Sequence, residues 1–271
     1  MKKAIINLLL MVIAIIQLYP LVWMVFLSLK SNSEIYGGGS MGFPRSLRWD
    51  NYISAMQTGN VLRYTCNSLV ITASAVLLST LLASMAAYSI TRMRWRYSGW
   101  VMMIFLMGIM VPSQAVILPI YLILQRAGLY NTQPGLVIVY LVFALPTAIF
   151  ILSGFLKSLP VELEEAAALD GAGILYIYHR VILPLTRPAL SAVMVFTFLS
   201  CWNEFMYSFI LLDKETLRTL TVGLLAMKGQ YYTNWGAMAA GLTIAALPTL
   251  AVYLCFSKNI QQSFVAGAVK G

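Results

Sequence analysis

Carboxylates crowd one stretch of this chain and are sparse elsewhere. Glu162, Glu164, Glu165 and Asp170 are four of the nine acidic residues in 271. The stretch reads Glu164-Glu165-Ala166-Ala167-Ala168-Leu169-Asp170-Gly171-Ala172, with Leu183-Pro184 and Pro188 downstream. Strongly apolar segments flank it on both sides. A chain that spends its acids this way is using the stretch to dock something outside a bilayer. One more acid, Glu204, stands inside an apolar run as Trp202-Asn203-Glu204. Other reactive groups are few. His179 is the sole histidine, so a histidine metal site or a serine–histidine dyad inside the membrane is nearly excluded. No Gly-x-x-x-x-Gly-Lys-[Ser/Thr] loop is present to cradle ATP phosphates. Cys66, Cys201 and Cys255 lie in or beside apolar runs without metal-ligand spacing, which reads as buried thiols and not a disulfide frame. The chain therefore reads as no enzyme, with no metal and no cofactor of its own.

The elements that must position these residues follow from composition. Hydrophobic residues make up 60% of the chain and charged residues 10%, against about 25% charged in a soluble domain. Lipid is the solvent for most of this surface. Unpaired backbone groups are costly there, so spans are helices or closed barrels. The apolar runs are continuous and not alternating, which selects helices. The predicted fold class is an all-α membrane protein of six transmembrane helices, at about 20 residues per crossing. The net charge of +9 does not signal nucleic acid, because basic residues sit at the ends of apolar runs, where they anchor helices at headgroups.

The expected spans run from Ile5 to Leu29, Asn67 to Ile90, Gly99 onward with breaks at Pro112 and Pro119, Gly135 to Leu156 with Pro146 inside, Ala189 to Leu212, and Ala237 to Phe256. The first is too long for a cleaved signal peptide. Lys2, Lys3 and the Arg92/Arg94/Arg96 triplet place both termini and the acidic loop in the cytoplasm. Lys30, Arg45, Arg48 and Arg63 then fall outside. Residues 1–271 read as one transmembrane domain with an external loop at 30–65, a cytoplasmic coupling loop at 157–187 and a cytoplasmic tail at 257–271. In the external loop, Gly37-Gly38-Gly39 and Pro44 mark turns, and Asp50 is expected to cap a short helix.

The acidic loop has its own local logic. Pro160 opens a helix whose first turn holds Glu162, Glu164 and Glu165, where negative charge favours the N-terminus. Ala166 to Ala168 propagate it and Gly171 stops it. Ile174, Ile177, Tyr178, Val181 and Ile182 then form an amphipathic stripe. Pro184 and Pro188 are expected to break the chain before the fifth span. The blander reading is a solvated loop, but that needs neither the glycine stop nor the second helix. Asn203 and Glu204 either line a path, with Trp202 offering an aromatic face nearby, or pack helices together. Pro112-Ser113-Gln114 is either a moving gate or a static bend.

Glu165-Ala166-Ala167, Gly171, Val181, Leu183 and Pro184 resemble the cytoplasmic EAA loop of membrane subunits of bacterial ABC importers. Asp170-Gly171-Ala172 and Pro188 are similar to its carbohydrate branch. So are Asn67-Ser68-Leu69, Ala86 to Arg92, Pro112 to Tyr121, Gly128-Leu129, Trp202 to Phe205 and Gly267 to Gly271. The ending looks like the G-like subunit of a maltose-type pair, although relatives carry a few more residues there.

The resemblance implies a type I importer permease in a bacterial inner or plasma membrane. Its partners would be a second permease subunit in a heterodimer, two ATPase subunits carrying ATP and Mg, and an external solute-binding protein delivering a sugar. Glu164, Glu165, Ala166, Ala167, Asp170, Gly171, Ala172, Leu183 and Pro184 would couple to the ATPase, with Gly267 and Lys270 on a tail directed toward it. Two rivals stand beside this reading. One is an ABC permease for another solute. The other is a stand-alone secondary transporter, which would need more intramembrane acids or internal repeats than are visible.

Overall fold

A computed structural model describes residues 2–93, 95–229 and 233–268, with side chains over 3–93, 95–229 and 233–256. Every regular element among them is helical. We label them α1 Lys2–Ser28, α2 Asn32–Tyr36, α3 Asp50–Gln57, α4 Val61–Arg92, α5 Ser98–Met110, α6 Ile117–Arg126, α7 Gln133–Leu156, α8 Glu162–Leu169, α9 Ile174–Leu185, α10 Arg187–Trp202, α11 Met206–Leu211, α12 Leu220–Ala226 and α13 Trp235–Ala268. Four are long and apolar enough to cross a membrane: α1, α4, α7 and the Trp235–Phe256 part of α13. Two bent pairs raise the count to as many as six. A segment from Ser113 to Arg126 follows α5 at 92°, and α10 follows α9 at 74°.

The chain groups into two compact units, Met1–Asn67 with Arg218–Pro248, and Ser68–Leu217 with Thr249–Gly271. In the first unit, Lys30 is fully buried. Its ammonium donates to the carbonyls of Gly39, Ser40 and Gly42 at 2.6, 3.1 and 2.6 Å. Sequence reading takes Lys30 only as one of the basic residues on the external side, anchoring a span end at headgroups. The loop instead folds over it, because three carbonyls on an irregular segment need donors. Asn51 is buried beside it and donates to the Ser28 and Lys30 carbonyls, both at 2.8 Å. Asp50 does not cap α3. It is the first helical residue after Trp49, and it pairs loosely with Arg48 at 3.7 Å. Gly223 packs directly on the Tyr64 ring, where any Cβ would collide.

The second unit carries two apolar cores. One gathers Ala83, Ala87, Tyr88, Ile149, Leu152, Tyr178, Ile182 and Val193. The other gathers Ile71, Ala75, Leu136, Tyr140, Tyr207 and Leu211. Helix α7 feeds both. Its start is well specified, since the Thr132 hydroxyl accepts from Gly135 N–H at 3.1 Å and Pro134 sits in the first turn. Asn131, in the left-handed region at φ 58°, accepts from the Asp213 and Lys214 N–H groups at 3.0 Å each.

Several expected boundaries move. The second span begins at Val61 and not Asn67. Pro119 does not break the third span. It falls in the first turn of α6, where its missing N–H is tolerated. The break lies at Val111 and Pro112. Pro184 and Pro188 flank the 74° bend between Leu185 and Arg187, so the chain does turn there before the fifth span, with each proline in the first turn of its own helical segment. The fifth span is not continuous to Leu212. It stops at Trp202 and restarts at Met206. Cys66 and Cys255 are exposed, contrary to the expectation of buried thiols, and Cys201 is buried.

Candidate functional site

Two places in the second unit carry the residues singled out by sequence. The first is a cleft of about 370 Å³. It forms where the two broken helices face α7. Ser113 and Gln114 come from the break after α5, and Glu204 comes from the break between α10 and α11. Tyr140, Phe143 and Thr147 come from α7, while Phe196, Thr197, Ser200 and Cys201 come from α10. The lining is mostly apolar and aromatic with a few polar groups, a composition suited to small-molecule sites.

Glu204 is held by three donors. Tyr140 hydroxyl donates to Oε2 at 2.8 Å, Tyr207 N–H to Oε1 at 2.8 Å and Ser208 N–H to Oε2 at 3.1 Å. The two amides belong to the first turn of α11, whose N–H groups have no helical acceptor. A carboxylate there satisfies them and complements the helix dipole. Glu204 thus borders the cleft and also ties α7 to α11.

Tyr207 hydroxyl donates to the Ser113 carbonyl at 2.5 Å, so the two breaks are tied to each other. Sequence reading named the Pro112 break and singled out Glu204, but it ran the fifth span through Asn203 to Phe205 and missed Tyr140 and Tyr207. The available signal was a tyrosine three residues after an intramembrane acid, the reach of one helical turn. Trp202 and Asn203 stand elsewhere. Trp202 is buried and its ring stacks on Phe198 at 5.5 Å. Asn203 is exposed and donates to the Leu199 carbonyl at 2.8 Å. Neither lines the cleft.

The second place is the helix pair α8 and α9. Gly171 separates them at φ +83°, a conformation glycine adopts without penalty. Gly171 N–H bonds Ala168 O at 3.0 Å and Ala172 N–H bonds Ala167 O at 3.0 Å, closing the end of α8. Ala167, Ala172 and Leu183 face inward onto the first apolar core. Glu165, Ala166, Asp170, Gly171 and Pro184 face outward. The stripe on α9 is narrower than expected. Ile177, Tyr178 and Ile182 are buried and Val181 is half-buried, but Ile174 is exposed. The tip between the helices presents bare apolar side chains, with Leu169 90% and Leu175 73% exposed beside Ile174 and Tyr176.

Glu164 turns the other way. Its carboxylate lies 2.9 Å from Arg92 Nε, and both side chains are largely buried. Gly267 falls on α13 with its surroundings undescribed, and Lys270 lies outside the described residues. Among the described residues, no group of three or more His, Cys, Asp or Glu is placed to hold a metal ion.

Comparison with known proteins gives this geometry a family. Residues 76–266 match the family described as binding-protein-dependent transport system inner membrane component. Multiple sugar-binding transport system permease protein MsmG of Streptococcus mutans is 35% identical, over 94% of this chain and 93% of its own. Diacetylchitobiose uptake system permease protein NgcG of Streptomyces coelicolor is 34% identical, over 98% of this chain and 89% of its own. A solved bacterial ABC transporter involved in importing the acidic polysaccharide alginate shares the fold, with a TM-score of 0.85, 22% identity and 96% of each chain covered. The fold is thus one seen in a solved ABC transporter, and this chain belongs to the binding-protein-dependent transport system inner membrane components, the permeases of ABC transporters.

Proposed function

We propose that this chain is a sugar-translocating subunit of an ABC importer, with six spans and both termini in the cytoplasm. The observation that carries the reading is the tip of α8 and α9. Bare apolar side chains on a rigid helix pair suit a groove in another protein. That partner would be one of two ATPase subunits, which hold the ATP and Mg this chain has no loop to bind. ATP-driven closure would move the docked pair as a rigid body and switch access to the cleft.

The cleft is the proposed path. Aromatic faces from Tyr140, Phe143 and Phe196, beside hydroxyls from Ser113, Thr197 and Ser200, suit the mixed polarity of a sugar. Relatives named for sugars support that substrate class. A second permease subunit would complete the path, and a solute-binding protein would deliver substrate from outside. Helix α1 supports the second subunit, since the most apolar part of its length has no residue buried within this chain.

Gentle detergent purification from the native membrane, followed by mass spectrometry, tests the assembly. An ATPase, a second six-span protein and a solute-binding protein are the expected companions. A lone or homo-oligomeric protein that transports in liposomes without ATP would overturn the reading.

A further inference from the structure

We propose that α4 is a third mechanical arm of the docking pair, gripped by Ser84, Tyr88 and Arg92. The pair is joined covalently to α7 and α10. Helix α4 is more than sixty residues away in sequence, yet it makes the polar contacts. Ser84, Tyr88 and Arg92 are spaced four apart, so they share one face of the helix. Ser84 and Tyr178 hydroxyls lie 2.7 Å apart. Tyr88 donates to Glu164 Oε2 at 3.3 Å and its ring centroid is 5.2 Å from that of Tyr178. Arg92 Nε stands 2.9 Å from Glu164 Oε1, and its Nη2 donates to the Leu159 carbonyl at 2.8 Å. One helix face thereby holds α8, α9 and the exit from α7 together.

The grip is stiff because it is dry. The Arg92 and Glu164 side chains are only 7% and 15% exposed. Separating such a pair leaves uncompensated charges in a poor solvent. A displacement of α8 therefore carries α4 with it. These three side chains are positioning residues. They lie behind the exposed tip and outside the cleft lining. The inference rests on the importer reading above and adds that force enters the membrane through α4 as well as through α7 and α10.

The test uses the whole complex in lipid nanodiscs. Cys66, Cys201 and Cys255 are replaced, and Ser200→Cys reports the cleft through its labelling rate with a water-soluble methanethiosulfonate. Mg-ATP with orthovanadate is the probe, and ATP hydrolysis is measured in parallel. In the parent, nucleotide changes the labelling rate. In Arg92→Gln, hydrolysis continues while the nucleotide-dependent change shrinks about 2- to 30-fold, the range expected for mutations along a coupling network.

Tyr178→Phe keeps the ring and removes one hydroxyl, so it is expected to assemble normally and show a smaller loss. Ser84→Ala combined with Tyr178→Phe should lose no more than either alone, because both delete one contact. If Arg92→Gln fails to assemble, these two milder variants decide. Full nucleotide response in the variants would overturn the α4 arm and leave the importer reading standing. No response in the parent would overturn the importer reading and the arm with it.

Discussion

Glu204 keeps its carboxylate where a helix begins, and that placement separates two uses of one side chain. Its oxygens accept from two amides and a tyrosine hydroxyl, and it borders the cleft. Glu204→Gln retains one acceptor and turns the other into a donor facing donors. A buried donor left unpaired costs about 1–3 kcal/mol. We expect reduced uptake in a complex that still assembles, measured as transport rate against co-purification yield. Wild-type uptake would leave the carboxylate with an anchoring role alone. Lys30 is the comparable residue in the other unit. Lys30→Met strips three carbonyls of their donor, again at about 1–3 kcal/mol for each group left unsatisfied. The expected result is a lower thermal midpoint for the purified protein. An unchanged midpoint would mean that water replaces the ammonium. Glu204 was legible in the sequence because an acid in an apolar run stands out. Lys30 was not, because a lysine at a span end looks like any headgroup anchor until the loop is seen folding over it.

The docking pair shows the same division among elements. The first helix, its glycine stop and most of the inward stripe followed from local rules that need no tertiary information: acids in the first turn, alanines next, and a left-handed residue at the end. Nothing lies within 4 Å of a Cβ built on Gly171, whose φ is +83°. Backbone strain, not crowding, therefore decides what the position accepts. Gly171→Val should distort the turn by about 1–2 kcal/mol and abolish substrate-driven ATP hydrolysis while the spans stay inserted. Gly171→Asn should keep most of it, since asparagine tolerates the left-handed region. Equal activity in both variants would show that the turn geometry is irrelevant to docking. The breaks in the long helices were harder to place. Prolines drew attention to Pro112, Pro119, Pro184 and Pro188; Pro112 lies at one break and Pro184 and Pro188 flank another, while Pro119 sits in a first turn away from any break. Proline in a first turn costs little, so the residue type alone does not distinguish a stop from a start. The break at Asn203 to Phe205 carries no proline at all, and the Glu204 carboxylate is what makes a new helix start there affordable.

For the molecule as a whole, α1 stands out among the described long apolar helices, since no residue of its most apolar stretch is buried and its Leu9 and Ile16 are bare. Lipid covers part of such a surface, and a second permease subunit is the proposed cover for the rest. A photo-crosslinking residue at Leu9 or Ile16 in the native membrane should capture a different polypeptide of similar size. Capture of lipid alone, from both positions, would remove α1 from the subunit interface. The family was readable from the amino-acid order because the segments that carry the resemblance rest on local chemistry. Apolar length makes a long helix, and a short acidic helix with a glycine stop makes a tip. The cleft was not readable. Ser113, Tyr140, Glu204 and Tyr207 stand on separate elements, and sequence spacing says nothing about which faces of long apolar helices meet. The Arg92–Glu164 pair was hidden for the same reason, as the two residues are 72 positions apart and each had a sufficient local explanation. Local periodicity and charge determined which elements exist. Only the packing of those elements decided which polar groups had to find one another away from water.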